Sequence, residues 1–328
     1  MKHLDALLAA VHADAEDVEA RLVYADALQE TDDPRGEFIA LQCRRDRDAP
    51  ATDRERELLA KHRTTWLGRL APLLDPKQTI FERGFLATAH VKKVPRPKLL
   101  ATAGNPMWAT VTRLDFHEDI GGVVVKSGKV VRGARVPAAA VLMHPIMRAL
   151  RDVSGIDGDV LVTLCREKAA LTIQSISAST YPLLERGSDD MWEMEAPARA
   201  ALETAKGLPY LRRLELHGYP CDVPDMRWLV RSPLAARLAS LVLENFGGTI
   251  DQWADHARVA HPKLGELVAD YWGVARFTRS PDGTLRDLEI DAGRDLTSHQ
   301  RRQIDAALAR IPKGALHDVR FSGTSRAV

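Results

Sequence analysis

The sequence predicts an α/β chain in which a small N-terminal helical module, residues 1–78, precedes an irregular strand/helix solenoid with hairpin insertions, residues 79–328. Three observations predict it. Apolar residues recur at helical spacing in the first part, a short alternating apolar phrase recurs in the second, and helix-like segments separate its copies.

The helical part divides into four elements. Leu4, Leu7, Leu8 and Val11 mark a first helix, and Asp14 or Asp17 can cap a second that carries Val18, Leu22, Val23 and Leu28. "ETDDPRGEF" reads as a turn, because Asp33-Pro34 biases the chain away from helix and Gly36 supplies freedom for the reversal. "EFIALQCRR" resumes a third helix. "DRERELLAKHRTTWLGRLAPLL" puts Leu58, Leu59, His62, Trp66, Leu67 and Leu70 on one side of a fourth.

"RLVYAD" and "DPRGEFI", set within about residues 4–42, resemble the bacterial repeat-companion domain, a helical module found ahead of leucine-rich-repeat-like arrays. Ala27 stands where that family usually has Trp. The family carries no assigned enzymatic activity, so the resemblance implies an architecture: a cap on the end of an array. Tyr24, Asp26, Arg35 and Glu37 accordingly read as structural, with Tyr24 packed and the charges fixing the turn; an acidic pocket is the competing reading.

In the second part L-x-x-L-x-L or a near relative appears as "VTRLDF" (111–116), "LRRLEL" (211–216), "LASLVL" (238–243), "LRDLEI" (285–290) and "LHDVRF" (316–321). "LATAHV" (86–91) and "KAALTI" (168–173) are weaker copies. Alternation makes each phrase a short strand with one buried face, and the intervening helices cover the other side, as a leucine-rich-repeat-like array requires. The central residues Ala89, Leu114, Leu171, Leu214, Leu241, Leu288 and Val319 stand about 25 to 57 residues apart, against roughly 20–29 in regular arrays. Insertions are therefore expected. "GGVVVKSGKVVRGARV" (121–136) reads as a hairpin, and "SPDG" within 274–290 joins two further strands. The Asn that usually ends the phrase is replaced by Tyr219, Phe246 and Gly293, so a non-solenoid α/β domain is the alternative.

Composition narrows the function classes. Lys+Arg 46 against Asp+Glu 45 gives a formal charge of +1, which argues against a whole-chain field for nucleic acid or membrane. Cys43, Cys165 and Cys221 offer neither a disulfide framework nor a paired metal motif. No 18-residue apolar run occurs, and Asp5, His12, Asp14 and Glu16 interrupt any signal-like N-terminus, so a cytoplasmic protein is expected.

Phosphate-loop, dinucleotide-binding, zincin and hydrolase-elbow motifs are missing. His117, Glu118 and Asp119 in "DFHED", and His217 with Cys221, are chemically able to bind metal, but consecutive strand residues point to opposite faces. Cys165 lies in an apolar run with no activating base nearby. "HVKKVPRPK" (90–98), with its two prolines, reads as a solvated linker, with a contact to phosphate or an acidic protein as the competing reading. No catalytic, cofactor-binding or metal residue is therefore expected. The expected activity is non-catalytic recognition of another protein through Arg212, Arg213, Glu215, Arg286, Asp287 and Glu289, the polar positions of the phrases. Trp192, Trp228, Trp253 and Trp272 read as inter-repeat core. A second reading is a regulatory or protease-substrate subunit of a bacterial defence or signalling system, with "TYPLLERGSDDMWEMEAP" (180–197) as an accessible loop.

Overall fold

A computed structural model describes residues 2–46, 48–117, 124–126, 129–131, 137–180, 183–186, 192–218, 226–244, 264–270, 274–279, 286–291, 297–311, 313–314 and 316–322. The fold is mixed α/β, and the chain divides into two compact units, residues 1–155 and 156–328.

In the first unit α1 (Lys2–Ala13), α2 (Val18–Gln29), α3 (Pro34–Arg44) and α4 (Asp53–Leu67) precede every strand. Their starts are written into the sequence. Asp17 accepts from the Ala20 amide, Asp33 from the Arg35 amide, and Thr52 with Glu55 forms a reciprocal capping box. Gly36 lies inside α3, where the sequence suggests a turn. A Cβ there would stand 2.5 Å from the Ala25 carbonyl oxygen, so this glycine serves the close approach of α2 to α3. Val23, expected in the core, is 47% exposed because it projects from the opposite side of α2 to Tyr24, Ala25 and Leu28.

The helices close over the hairpin of β1 (Ile80–Glu82) and β2 (Phe85–Val91). Val11, Tyr24, Ala25, Leu28, Ile39 and Ala40 bury Phe85, while Phe38 stacks on Trp66 and meets Phe81 edge-on. Polar contacts secure the same turn. Arg21 donates to the carbonyls of Glu82 and Arg83, both at 3.0 Å, and Gln42 accepts from the Gly84 amide at 2.8 Å.

After α5 (Arg96–Leu100) the chain enters β3 (Arg113–Phe116), parallel to β2. The segment 90–98 thus runs from β2 into α5. β4 (Val124–Lys126) and β5 (Lys129–Val131) form an antiparallel hairpin within 121–136, whose tip, residues 127–128, and flanks lie outside the described residues. α6 (Pro137–Leu142) then leads to β6 (Asp152–Ile156), parallel to β3.

The second unit contains α7 (Gly158–Arg166), β7 (Ser175–Ser179), the β8 (Leu184–Arg186) and β9 (Trp192–Met194) hairpin, and α8 (Ala196–Thr204). There follow β10 (Arg213–His217), α9 (Arg227–Val230), β11 (Ser240–Glu244), β12 (Glu266–Asp270), β13 (Val274–Arg279), β14 (Arg286–Asp291), α10 (Ser298–Leu308) and β15 (Leu316–Ser322). The strands pair in the order β7-β10-β11-β12-β13-β14-β15. β7, β10, β11 and β12 are mutually parallel, β13 is antiparallel to both neighbours, and β14 and β15 are parallel.

Register aligns the repeated phrases. Leu214 stands opposite Ile176 on one side and Leu241 on the other, and the ladder continues through Leu267, Phe277, Leu288 and Val319. Ile176, Leu214, Leu241, Phe277 and Leu288 are buried. Two corrections follow. "KAALTI" is not a strand, and the copy lies at Ile173, Ile176 and Ala178, because Ile176 rather than Leu171 pairs with Leu214. β6 and β12 add unexpected copies centred on Val153 and Leu267.

Four of the parallel strands also begin alike. The carbonyl two residues before the central position accepts two amides from the next phrase: Gln174 from Arg212 and Arg213, Arg212 from Ala239 and Ser240, Ala239 from Gly265 and Glu266, and Thr112 from Arg151 and Asp152 in the first unit. Identical backbone joints propagate the strands in step.

Candidate binding face of the second unit

Because side chains alternate across a strand, burying the central ladder sends the residues one before, one after and three after it to the opposite face. In-register pairing then lines those positions into rows. The first runs through Ser175, Arg213, Ser240, Glu266, Thr278, Asp287 and Asp318. The second holds Ser177, Glu215, Val242, Arg276, Glu289 and Arg320, and the third begins Ser179, His217, Glu244.

The rows are cross-linked. Arg213 contacts Glu215 at 3.3 Å and Glu266 at 3.2 Å and donates to Ser240, whose hydroxyl donates to Glu266 at 2.6 Å. Arg276 reaches Glu266 at 3.7 Å and Glu289 at 4.0 Å, and Arg320 pairs with Asp318 at 2.7 Å. Single pairs at this exposure contribute at most about 1 kcal/mol, but a network fixes where each charge sits.

His217 occupies the centre of one cluster. Its Nε2 lies 2.8 Å from Ser177 Oγ and 3.3 Å from Glu215 Oε1, and its Nδ1 lies 3.0 Å from Glu244 Oε2. The Thr180 amide donates to the His217 carbonyl, and the Gly218 amide to that of Glu244, so strand ends as well as strands hold the cluster.

The six residues expected from sequence distribute unevenly. Arg213, Glu215, Asp287 and Glu289 belong to the rows. Arg212 precedes its strand and donates to the Arg237 carbonyl, away from the rows. Arg286 begins β14, opposite Arg279 and Leu316, and its side chain lies outside the described residues. Glu244, Glu266, Arg276, Asp318 and Arg320 were not expected. Alternation about Leu241 and Val319, and about Leu267 and Phe277 in the strands paired between them, is the signal that finds them.

Other expected chemistry is placed as follows. Burial pushes the Cys165 thiol up to about 12, which keeps it protonated and inert. His117 follows β3, whereas Glu118, Asp119 and Cys221 lie outside the described residues, as do Trp253, Trp272 and the side chain of Trp192. Trp228 carries the Arg199 guanidinium over its ring at 5.1 Å. In the N-terminal module Tyr24 is buried, Asp26 is exposed, Arg35 lies over the Phe85 ring, and Glu37 holds Arg54 by two 2.7 Å bonds. No protein-family model matches the chain, and no curated protein matches it.

Proposed function

We propose that this chain is a non-catalytic recognition protein, built as a leucine-rich-repeat-like array closed at its N-terminal end by a repeat-companion-type cap. The observation that carries the reading is the in-register polar face of the second unit: three rows of ordered side chains, backed by a buried ladder, and cross-linked into a fixed charge pattern. Such a face recognises a partner by complementarity rather than by bond making. The recurring double-amide joint supports the array, and the contacts of Arg21, Gln42 and the Phe85 cluster with the first hairpin support the cap.

Among its described residues the face carries Arg213, Arg276 and Arg320 against Glu215, Glu244, Glu266, Asp287, Glu289 and Asp318. The acidic excess selects a partner surface rich in Lys and Arg and disfavours nucleic acid and anionic lipid. A bacterial cytoplasmic setting belongs to the same proposal.

Quantitative affinity capture from the native host tests it, comparing the wild-type chain with Glu266→Lys/Glu289→Lys and with His299→Gln on α10. A protein whose recovery falls about tenfold with the first variant alone is the expected result. Equal recovery with all three baits would defeat the reading. The alternative, a regulatory or protease-substrate subunit of a defence or signalling system, would show instead as cleavage within 180–197.

A further inference from the structure

The face holds one cluster whose chemistry goes beyond charge complementarity. Glu215 and His217 are two apart on β10 and so share a face, and register sets Glu244 of β11 directly beside His217. One ligand atom from each of the three lies within 4.8 Å of the others. An i, i+2 pair with a register-matched neighbour gives three donors over one patch of sheet.

We propose that Glu215, His217 and Glu244 bind a divalent transition-metal ion of the zinc class. His217 Nε2 and Glu215 Oε1 stand 3.3 Å apart. Donors about 2.0–2.1 Å from a tetrahedral zinc are separated by roughly 3.3–3.5 Å, so these two already span one edge of such a site. Rotation of the half-exposed Glu244 side chain, now on Nδ1, brings the third oxygen in. One imidazole and two carboxylates suit zinc and its neighbours better than magnesium, which keeps oxygen ligands and its own waters.

A proton-transfer role fits less well. Ser177, His217 and Glu244 are ordered as nucleophile, base and orienting carboxylate are, but a base needs a free Nε2. Glu215 Oε1 stands 3.3 Å from that nitrogen and competes with Ser177 for it, whereas a cation uses both groups. Ser177 is then placed to hydrogen-bond a metal-bound water. Three protein donors leave such a position open.

The test needs no partner, so its failure leaves the recognition reading standing. The purified full chain, stripped with chelator and dialysed, is titrated with zinc chloride by calorimetry and with cobalt chloride by absorption, alongside His217→Gln, Glu244→Gln and His299→Gln. One saturable equivalent, weakened about tenfold or more by His217→Gln and by Glu244→Gln but not by His299→Gln, is expected. Circular dichroism confirms that each variant is folded. No saturable equivalent, unchanged affinity in His217→Gln, or a thiolate-to-cobalt charge-transfer band assigning the ion to a cysteine would each overturn the proposal.

Discussion

Single residues decide how the N-terminal helices close on the first hairpin. Gly84 has φ +82°, and a Cβ there would meet Ile39 Cγ1 at 2.1 Å, so only glycine lets the first hairpin reach α3. His12 sits in the same region, edge-on to Phe85, and burial together with Arg35 and Arg21 holds its pKa down at about 4, below the usual 6.5. The folded state therefore resists protonating it. Above pH 6.5 the imidazole is neutral folded or unfolded, and the N-terminal helices keep their full stability. As pH falls from 6.5 to 4 the unfolded chain binds the proton first, and stability is lost through that window. Because His12 is only partly buried, the expected loss is about 1–2 kcal/mol after discounting for solvent screening. Urea midpoints at pH 7 and pH 4.5 check it: His12→Leu should flatten the difference, and an unchanged slope would place the acid sensitivity elsewhere.

The elements show where sequence patterning sufficed. Helices α1 to α4 were legible because their caps, apolar spacing and breaks are local. Strands β3, β10, β11, β14 and β15 were legible because Leu or Val fills the central position between alternating neighbours. β6, β7 and β12 were not, since small residues blunt their phrases: Gly155 in "LRDVSGI", Ala178 in "ISAS" and Ala269 in "LVAD". A second signal lay unread. Proline begins the approach to strand at Asn105-Pro106, His144-Pro145 and Ser232-Pro233, each followed eight residues later by Leu114, Val153 and Leu241. There Asn105, His144 and Ser232 cap the turn by accepting backbone amides. Gly36 misled for a different reason, because packing between helices leaves no local trace. The frame of β7 is testable directly. Ile176→Asp places a carboxylate in the buried ladder and should cost about 4 kcal/mol or more, whereas Leu171→Asp, only partly buried, should cost about 1 kcal/mol. Equal losses in chemical denaturation would restore the Leu171 frame.

At the scale of the whole molecule, net charge and surface charge part company. The chain sums to +1, which read alone predicts indifference to charged partners. Folding sorts that charge: alternation and register gather six carboxylates and three arginines onto the described rows of one sheet face. This is why the candidate face was only partly legible, since four of its residues could be read from single phrases but their grouping depends on which strands become neighbours. A local field of this kind acts on encounter more than on the lifetime of a complex, and salt screens it over roughly 10 Å at 0.1 M. The association rate of the captured partner should accordingly fall about tenfold between roughly 0.05 and 0.3 M salt while its dissociation rate changes little, and Glu266→Lys/Glu289→Lys should flatten that dependence. Stopped-flow measurement reads both constants. A salt-independent association rate would mean that the partner meets a different surface, and helices α1 to α4 would then be the place to look.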